Sequence, residues 1–324
     1  MRFPYTIINQ YIIVCCGQHI YNSLNNFDTM KRSSFFLPYN IDKETQDKMK
    51  NKMLDLLIYF RDFCNEHNLR FWLIGGGAIG AVREHGFIPW DDDVDVQMPS
   101  PDFDKFMELW EKYGDKNRYV FCKTNRDVNY HHAEASLRDP NTTFICTYNK
   151  NDELCHGIAL EIGRVFPTPD NRIKQHIQIF WGYIYALFNN QRLPNNRGKV
   201  LRFLTKVAYF LVPSKSAKDN IWIYADKKRS KYKWEDCKYV KELWGKTSFY
   251  NFPKKWYEST VWVDFEGEKM PLAAGYHEYL TLIFGDYMKR PPIEKQVAKH
   301  DLLFVDMDRP YTDYRGLYYF PDKD

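Results

Sequence analysis

Apolar and polar positions along this chain change period from block to block. After Asp42, an N-cap type of residue, Met49, Met53, Leu56, Leu57, Phe60, Phe63 and Cys64 recur at helical spacing. Lys48, Lys50, Asn51, Lys52 and Asp55 fall on the other side, so the pattern predicts a long helix with one packed face, ending at Asn68. Residues 71–74 read as a short buried strand running into Gly75-Gly76-Gly77, and a short helix is expected over 78–84, stopped by His85-Gly86. Residues 91–98 read as a strand whose end alternates strictly, and a helix is expected over 102–113. Four more strands are expected over 119–123, 133–138, 142–148 and 157–162.

Pro167-Thr168-Pro169-Asp170-Asn171 is the strongest boundary signal. Beyond it, residues 173–188 and 200–211 read as apolar helices joined by a basic loop, 189–199, and further helices are expected near 216–231 and 275–284. The expected organisation is a poorly ordered extension over 1–40, a core over 41–170, an apolar helical hairpin over 171–215, and a C-terminal segment over 216–324 that packs on the core. The expected class is α+β: a mixed sheet flanked by helices, with the hairpin inserted and the C-terminal part mostly helical. Within the extension, Arg2 precedes a weak apolar stretch that Asn9 and Gln10 interrupt, without a clear cleavage site, and Met30-Lys31-Arg32 reads as the start of the protein proper.

Composition narrows the class only a little. The chain has 324 residues, 44% of them apolar, which is ample for a core. Its 46 basic and 42 acidic side chains nearly balance, which speaks against a nucleic-acid packaging role. Aromatic residues make up 17% of the chain and suit a large core, stacking on sugars or bases, or an interfacial surface. Seven cysteines, an odd number with no C-x-x-C pair, point to reduced thiols and a cytoplasmic setting rather than a disulfide framework or a zinc site. No run approaches the ~20 apolar residues that a membrane-spanning helix needs.

The chemistry lies between Gly75 and Val96. Three glycines between a strand and a helix let the backbone approach a ligand closely and aim helix N–H groups at an anion; a tight strand-to-helix turn would need them equally. Asp93 and Asp95, two apart on a strand, project from one face, with Asp91 on the same side. Adjacent like charges on a half-buried strand are costly unless a cation neutralises them, and Mg²⁺ suits carboxylate oxygens shared with substrate phosphate. The alternative is a solvated acidic loop capping the strand.

The longer string decides between these. Gly76-Gly77-Ala78-Ile79-Gly80-Ala81-Val82-Arg83 followed by Phe87-Ile88-Pro89-Trp90-Asp91-Asp92-Asp93-Val94-Asp95-Val96 resembles the signature of the LicD family, which has a nucleotidyltransferase-like fold and includes bacterial phosphocholine transferases. Leu137-Arg138-Asp139-Pro140-Asn141-Thr142-Thr143-Phe144 resembles its arginine-containing hairpin. Phe265-Glu266-Gly267, Ala274-Gly275-Tyr276-His277-Glu278-Tyr279-Leu280 and Gly285-Asp286-Tyr287-Met288 resemble its later blocks. Gly77 stands where the family usually has Thr, and Glu161 stands where it usually has Asp.

The resemblance implies a Mg²⁺- or Mn²⁺-dependent transferase moving a phospho-alcohol, phosphocholine or similar, from a CDP-activated donor to a hydroxyl of a glycan or lipid-linked glycan. CMP would be released, with no nucleic-acid partner. Asp93, Asp95 and Glu161 are then the expected metal ligands and catalytic residues, and Gly76, Gly77, Arg83 and Arg138 the expected phosphate contacts. Taken alone, either arginine is as readily an ion-pair residue. The alternatives are transfer of a nucleotide to a small acceptor, and a non-catalytic binding module. The expected location is cytoplasmic. The hairpin is expected to pack its apolar faces on each other and on the core; the alternative is peripheral contact at the inner membrane surface, with its aromatic edge in the interface and the basic residues Arg192, Arg197 and Lys199 at anionic head groups.

Overall fold

The structure, a computed structural model, describes residues 41–194 and 198–320. The expected N-terminal extension and Arg197 lie outside the described residues.

Asp42 caps the first helix, α1 (Lys43–Glu66), by accepting a hydrogen bond from the Thr45 amide at 2.8 Å. The seven apolar residues at helical spacing are all buried along its inner face. Asn68, at φ +54°, turns the chain into β1 (Trp72–Leu73). Helix α2 spans Gly75–Arg83, so it begins three residues before the sequence places it, and the glycines form its first turn. Strand β2 (Asp95–Pro99) is buried throughout and runs straight into α3 (Ser100–Tyr113). Strands β3 (Val120–Cys122), β4 (Ala135–Arg138), β5 (Thr143–Cys146) and β6 (Ala159–Thr168) follow.

The main sheet has the order β1-β2-β6-β4-β3. Only β2 and β6 are parallel; the other pairs are antiparallel, so the sheet is mixed as expected. Its buried residues join α1, α3 and the inner faces of later elements in one large core.

Three departures from the sequence reading concern the second half. Pro167 and Thr168 do not end the sheet: β6 continues through them to pair with β7 (Tyr239–Lys241), which in turn pairs with β8 (Phe252–Pro253). The expected hairpin is part of a three-helix unit. Helices α4 (Arg172–Asn190) and α6 (Lys215–Arg229) pack through Tyr185, Phe188, Trp222 and Ala225, while α5 (Lys199–Leu211) buries only Thr205. Residues beyond α6 are not mostly helical. They carry β7, β8, a hairpin of β9 (Thr260–Phe265) and β10 (Glu268–Ala273), β11 (Leu302–Asp306) paired with β5, and one α-helix, α7 (Tyr276–Phe284). Several of these strands are only two or three residues long, and the longer ones do not alternate cleanly, which hides the two-residue period.

Candidate active site

Strand β1 delivers the chain to Gly75, whose φ of +55° only glycine adopts without strain. Ile74 precedes α2 and provides no side-chain cap, so the first N–H groups of the helix point outward without an intrahelical partner. A Cβ on Gly76 would land on the Asp91 carboxylate, whereas one on Gly77 would make ordinary contacts with Leu73 and Val94. The glycine turn therefore lies directly against the acidic run, and at Gly76, unlike Gly77, an added Cβ would force the Asp91 carboxylate to move.

The acidic run precedes β2 instead of lying within it, and only Asp95 belongs to the strand. Asp91, Asp92 and Asp95 are buried and Asp93 is half-buried. Asp95 is the register partner of Glu161 across the parallel β2–β6 pair, and Glu161 is also the partner of Ser136 on β4. Burial, together with the charges of Asp93, Glu161 and Asp91, holds the Asp95 carboxyl well above the usual carboxylate range. Burial and the neighbouring Asp93 likewise push Asp91 up to about 7. Burial raises Glu161 as well, against the opposing charge of Arg138.

Two cations absent from the sequence reading face this cluster. Lys299 lies 3.7 Å from Asp91, and His300 donates to Asp92 from its Nδ1 at 3.1 Å. Burial works against protonation of His300, but its hydrogen bond to Asp92 and the nearby Asp93 and Asp95 push it up to about 9. Asp92 also accepts from the backbone amides of Lys299 and His300 at 3.3 and 3.2 Å. The ligand atoms of Asp92, Asp93 and His300 come within 4.8 Å of one another. Within that trio Asp92 already accepts from the His300 ring and from two backbone amides. Asp95 is different: its buried Oδ1 has no hydrogen-bond partner. Nothing in the sequence flags Lys299 and His300, because they reach the site from a loop far along the chain that carries no motif.

On the Asp95 side, an orphaned carboxylate oxygen, Asp93 and Glu161 on the neighbouring strand offer oxygen donors of the chemical type that Mg²⁺ and Mn²⁺ take, although the ligand atoms that come together within 4.8 Å are those of Asp92, Asp93 and His300.

The two arginines have different surroundings. Arg138 is buried beside Glu161, 3.5 Å from its carboxylate, and donates to the Tyr130 hydroxyl, the Ser136 hydroxyl and the Gly157 carbonyl at 2.8, 3.1 and 2.9 Å. It borders the acidic site and steadies Glu161. Arg83 donates to Glu84 at 2.7 Å and to the Tyr287 carbonyl at 2.8 Å, and its guanidinium lies over Trp90. Its contacts tie the end of α2 to the Gly285-Asp286-Tyr287 block.

Glu266, at the β9–β10 turn with φ +51°, accepts from the Phe87 amide at 2.9 Å while its own amide donates to the His85 carbonyl. It clamps the turn that leads into the acidic run. His131 and His156 bond to backbone carbonyls, and His132 is packed between aromatic rings, so these histidines are structural.

Comparison with known proteins matches residues 68–158 to the model of the LicD/FKTN/FKRP nucleotidyltransferase domain. The lipopolysaccharide cholinephosphotransferase LicD of Haemophilus influenzae is 28% identical over 261 residues, which cover 76% of this chain and 92% of its own. Uncharacterized proteins of Rickettsia typhi and Rickettsia prowazekii are 27% and 29% identical over 83 residues, about a quarter of this chain. The matched block stops just short of Glu161 but contains β1, the glycine turn, the whole acidic run and Arg138. The family model thus covers most of the part of the chain that builds the site, and the Haemophilus relative is similar to this chain over nearly its own full length.

Proposed function

We propose that this protein transfers a phospho-alcohol, phosphocholine or a close analogue, from a CDP-activated donor to a hydroxyl of a cell-surface glycan such as lipopolysaccharide, releasing CMP. The observation that carries this reading is the carboxylate cluster of Asp91, Asp93, Asp95 and Glu161, with Asp91 lying against the uncapped start of α2. The name of the Haemophilus relative, lipopolysaccharide cholinephosphotransferase, supplies the substrate class.

In this reading the N–H groups of the first turn of α2 receive a donor phosphate, and the missing side chain at Gly76 makes room for the Asp91 carboxylate beside that turn. Asp93, Asp95 and Glu161 hold a divalent cation, which when bound neutralises phosphate charge and polarises the bond to the leaving CMP. Arg138 fixes the Glu161 carboxylate through its ion pair and keeps its own orientation through Tyr130 and Ser136. Lys299 and His300 offset the remaining negative charge on Asp91 and Asp92, so the acidic run folds without the cation. Positioning and charge neutralisation dominate because phosphoryl transfer has a loose transition state.

The test is CMP release from CDP-choline, CDP-ribitol and CDP-glycerol, each with Mg²⁺ and a lipopolysaccharide acceptor. CMP appearing with one donor and depending on acceptor supports the proposal. Pyrophosphate release from nucleoside triphosphates would replace it with nucleotide transfer, and no turnover with any donor would point to a binding role.

A further inference from the structure

We propose that helix α5 is an interfacial anchor that seats the protein on an anionic phospholipid surface. The helix reverses the usual arrangement of an amphipathic helix in a folded protein. Its inner face is small and partly polar: Thr205 is buried, Ala208 and Val212 pack on the α4–α6 cluster, and the Tyr209 hydroxyl donates to the Leu187 carbonyl at 2.7 Å. Its outer face is apolar. Val200, Phe203, Leu204, Val207, Phe210 and Leu211 fall within one broad stripe at helical spacing, and all six are exposed, Phe210 by 82% and Val200 by 74%. Isolated exposed apolar residues are ordinary, but a continuous helical stripe of this kind marks an interaction surface.

Charge identifies the occupant. Lys199, Arg202 and Lys206 lie along one edge of the stripe. From Asn171 to Lys218 the chain has nine Lys or Arg and no Asp or Glu, whereas the whole chain has 46 and 42. The remainder of the molecule therefore carries a net negative formal charge, and the basic excess is concentrated around this unit. A partner covering α5 should be anionic and apolar together. A second copy of the chain would set one cationic edge against another. Residues 1–40 contain three Lys or Arg and only one acidic residue, Asp28, so they offer no counter-charge either. A bilayer with anionic head groups offers both properties. No helix of the described residues is long and apolar enough to cross a membrane, and α5, at ~1.5 Å per residue, is about 20 Å long, so it would lie in the interface plane. Arg192 plays no part in this edge, because it is tied to Asp152 and to the Tyr148 carbonyl.

This inference rests on α5 and does not depend on the transferase reading. It is tested by co-sedimentation of the full chain with phosphatidylcholine vesicles, with and without phosphatidylglycerol. The expected result is binding at low salt that needs phosphatidylglycerol and is reversed by added salt. Phe203→Ser with Phe210→Ser should abolish it, and Lys199→Gln with Lys206→Gln should weaken it about twenty-five-fold, at about fivefold per cation. These positions are exposed, so the unfolding midpoints of both variants should match wild type. Sedimentation velocity is run alongside. A wild type that ignores the anionic vesicles, variants that bind them as wild type does, or a wild-type dimer that the two serines make monomeric would each overturn the proposal.

Discussion

Asp95 and Glu161 are register partners across the only parallel strand pair of the main sheet, and the buried Oδ1 of Asp95 has no hydrogen-bond partner there. Two carboxylates held so close, both with raised pKa, leave the folded protein short of positive charge at this point. Asp95→Asn removes one of the repelling charges, so in metal-free buffer its unfolding midpoint should rise above wild type. Turnover should fall on the order of a hundredfold or more, because the same change deletes a ligand of the proposed cation. Donor turnover and urea unfolding of one protein preparation check both halves. An Asp95→Asn enzyme that is less stable yet active would remove the carboxylate from the site.

The proposed role of Glu161 as a third ligand can be probed by length. Glu161→Gln keeps the shape but removes the charge that Arg138 faces at 3.5 Å, and should lose activity to a similar degree. Glu161→Asp, the residue most of the family has, should retain a measurable part of it. Equal loss in both would mean that position 161 serves Arg138 rather than a cation.

Cation binding should also be visible without turnover. A ligand that binds only the folded state stabilises it by about 2.7 kcal/mol at a hundred times its dissociation constant. Titrating Mg²⁺ or Mn²⁺ into wild type should raise the melting temperature, and a chelator should reverse the rise. In Asp95→Asn the shift should shrink or vanish. A similar shift in both proteins would place the cation elsewhere, with Asp92 and His300 the next candidates by proximity.

How much of this was legible in the sequence depends on how local the signal is. The long helix α1 was fully written in its spacing, because a helix with one buried face repeats its pattern over six turns. The turn at Gly75 was legible because turn chemistry is local, whereas the alternation that put Asp93 and Asp95 together on a strand holds only from Asp95 onward. The start of α2 was misplaced by three residues because glycine has low helix propensity, and here the tertiary packing of Gly76 against Asp91 overrides it. Lys299 and His300 were illegible for the opposite reason: they are brought to Asp91 and Asp92 by a loop whose path follows from the β5–β11 pairing. Arg83 was readable as a basic residue near the turn, but its partners, Glu84 and the Tyr287 carbonyl, depend on how the C-terminal segment returns.

The glycine turn offers a contrast between neighbours. Gly76→Ala would push a methyl group into the Asp91 carboxylate, so it should displace the acidic run and lower activity steeply. Gly77→Ala meets only ordinary contacts and replaces a glycine inside a helix, so it should fold as well as wild type or better, by about 0.5–1 kcal/mol. Thermal unfolding and donor turnover of the pair decide the matter. If Gly77→Ala is the damaging change, the close approach lies at the third glycine of the helix's first turn and not at the Asp91 contact.

His156 gives the fold a pH dependence remote from the acidic run. Its ring is fully buried, with the centroid 4.4 Å from that of Tyr319. Nε2 donates to the Asp152 carbonyl at 2.9 Å, which fixes the neutral tautomer, while Nδ1 is buried without a partner. Burial, with the charge of Arg138 adding to it, pushes the imidazole down to about 3. In the unfolded chain the same ring titrates near the ordinary histidine value of ~6.5. Between those values the unfolded state binds a proton that the folded state refuses, so the contribution of His156 is fully present above ~6.5 and is lost as pH falls toward 3. The loss runs at up to about 1.4 kcal/mol per pH unit, or roughly 2 kcal/mol between pH 7.5 and 5. Other groups titrate over the same range, Asp91 in the opposite sense, so the informative quantity is the difference between wild type and His156→Gln, which cannot titrate. Urea unfolding of the two proteins at pH 7.5 and pH 5 should show the wild type losing ground to the variant on acidification. A difference that stays constant across that interval would mean that His156 accepts its proton without leaving the fold.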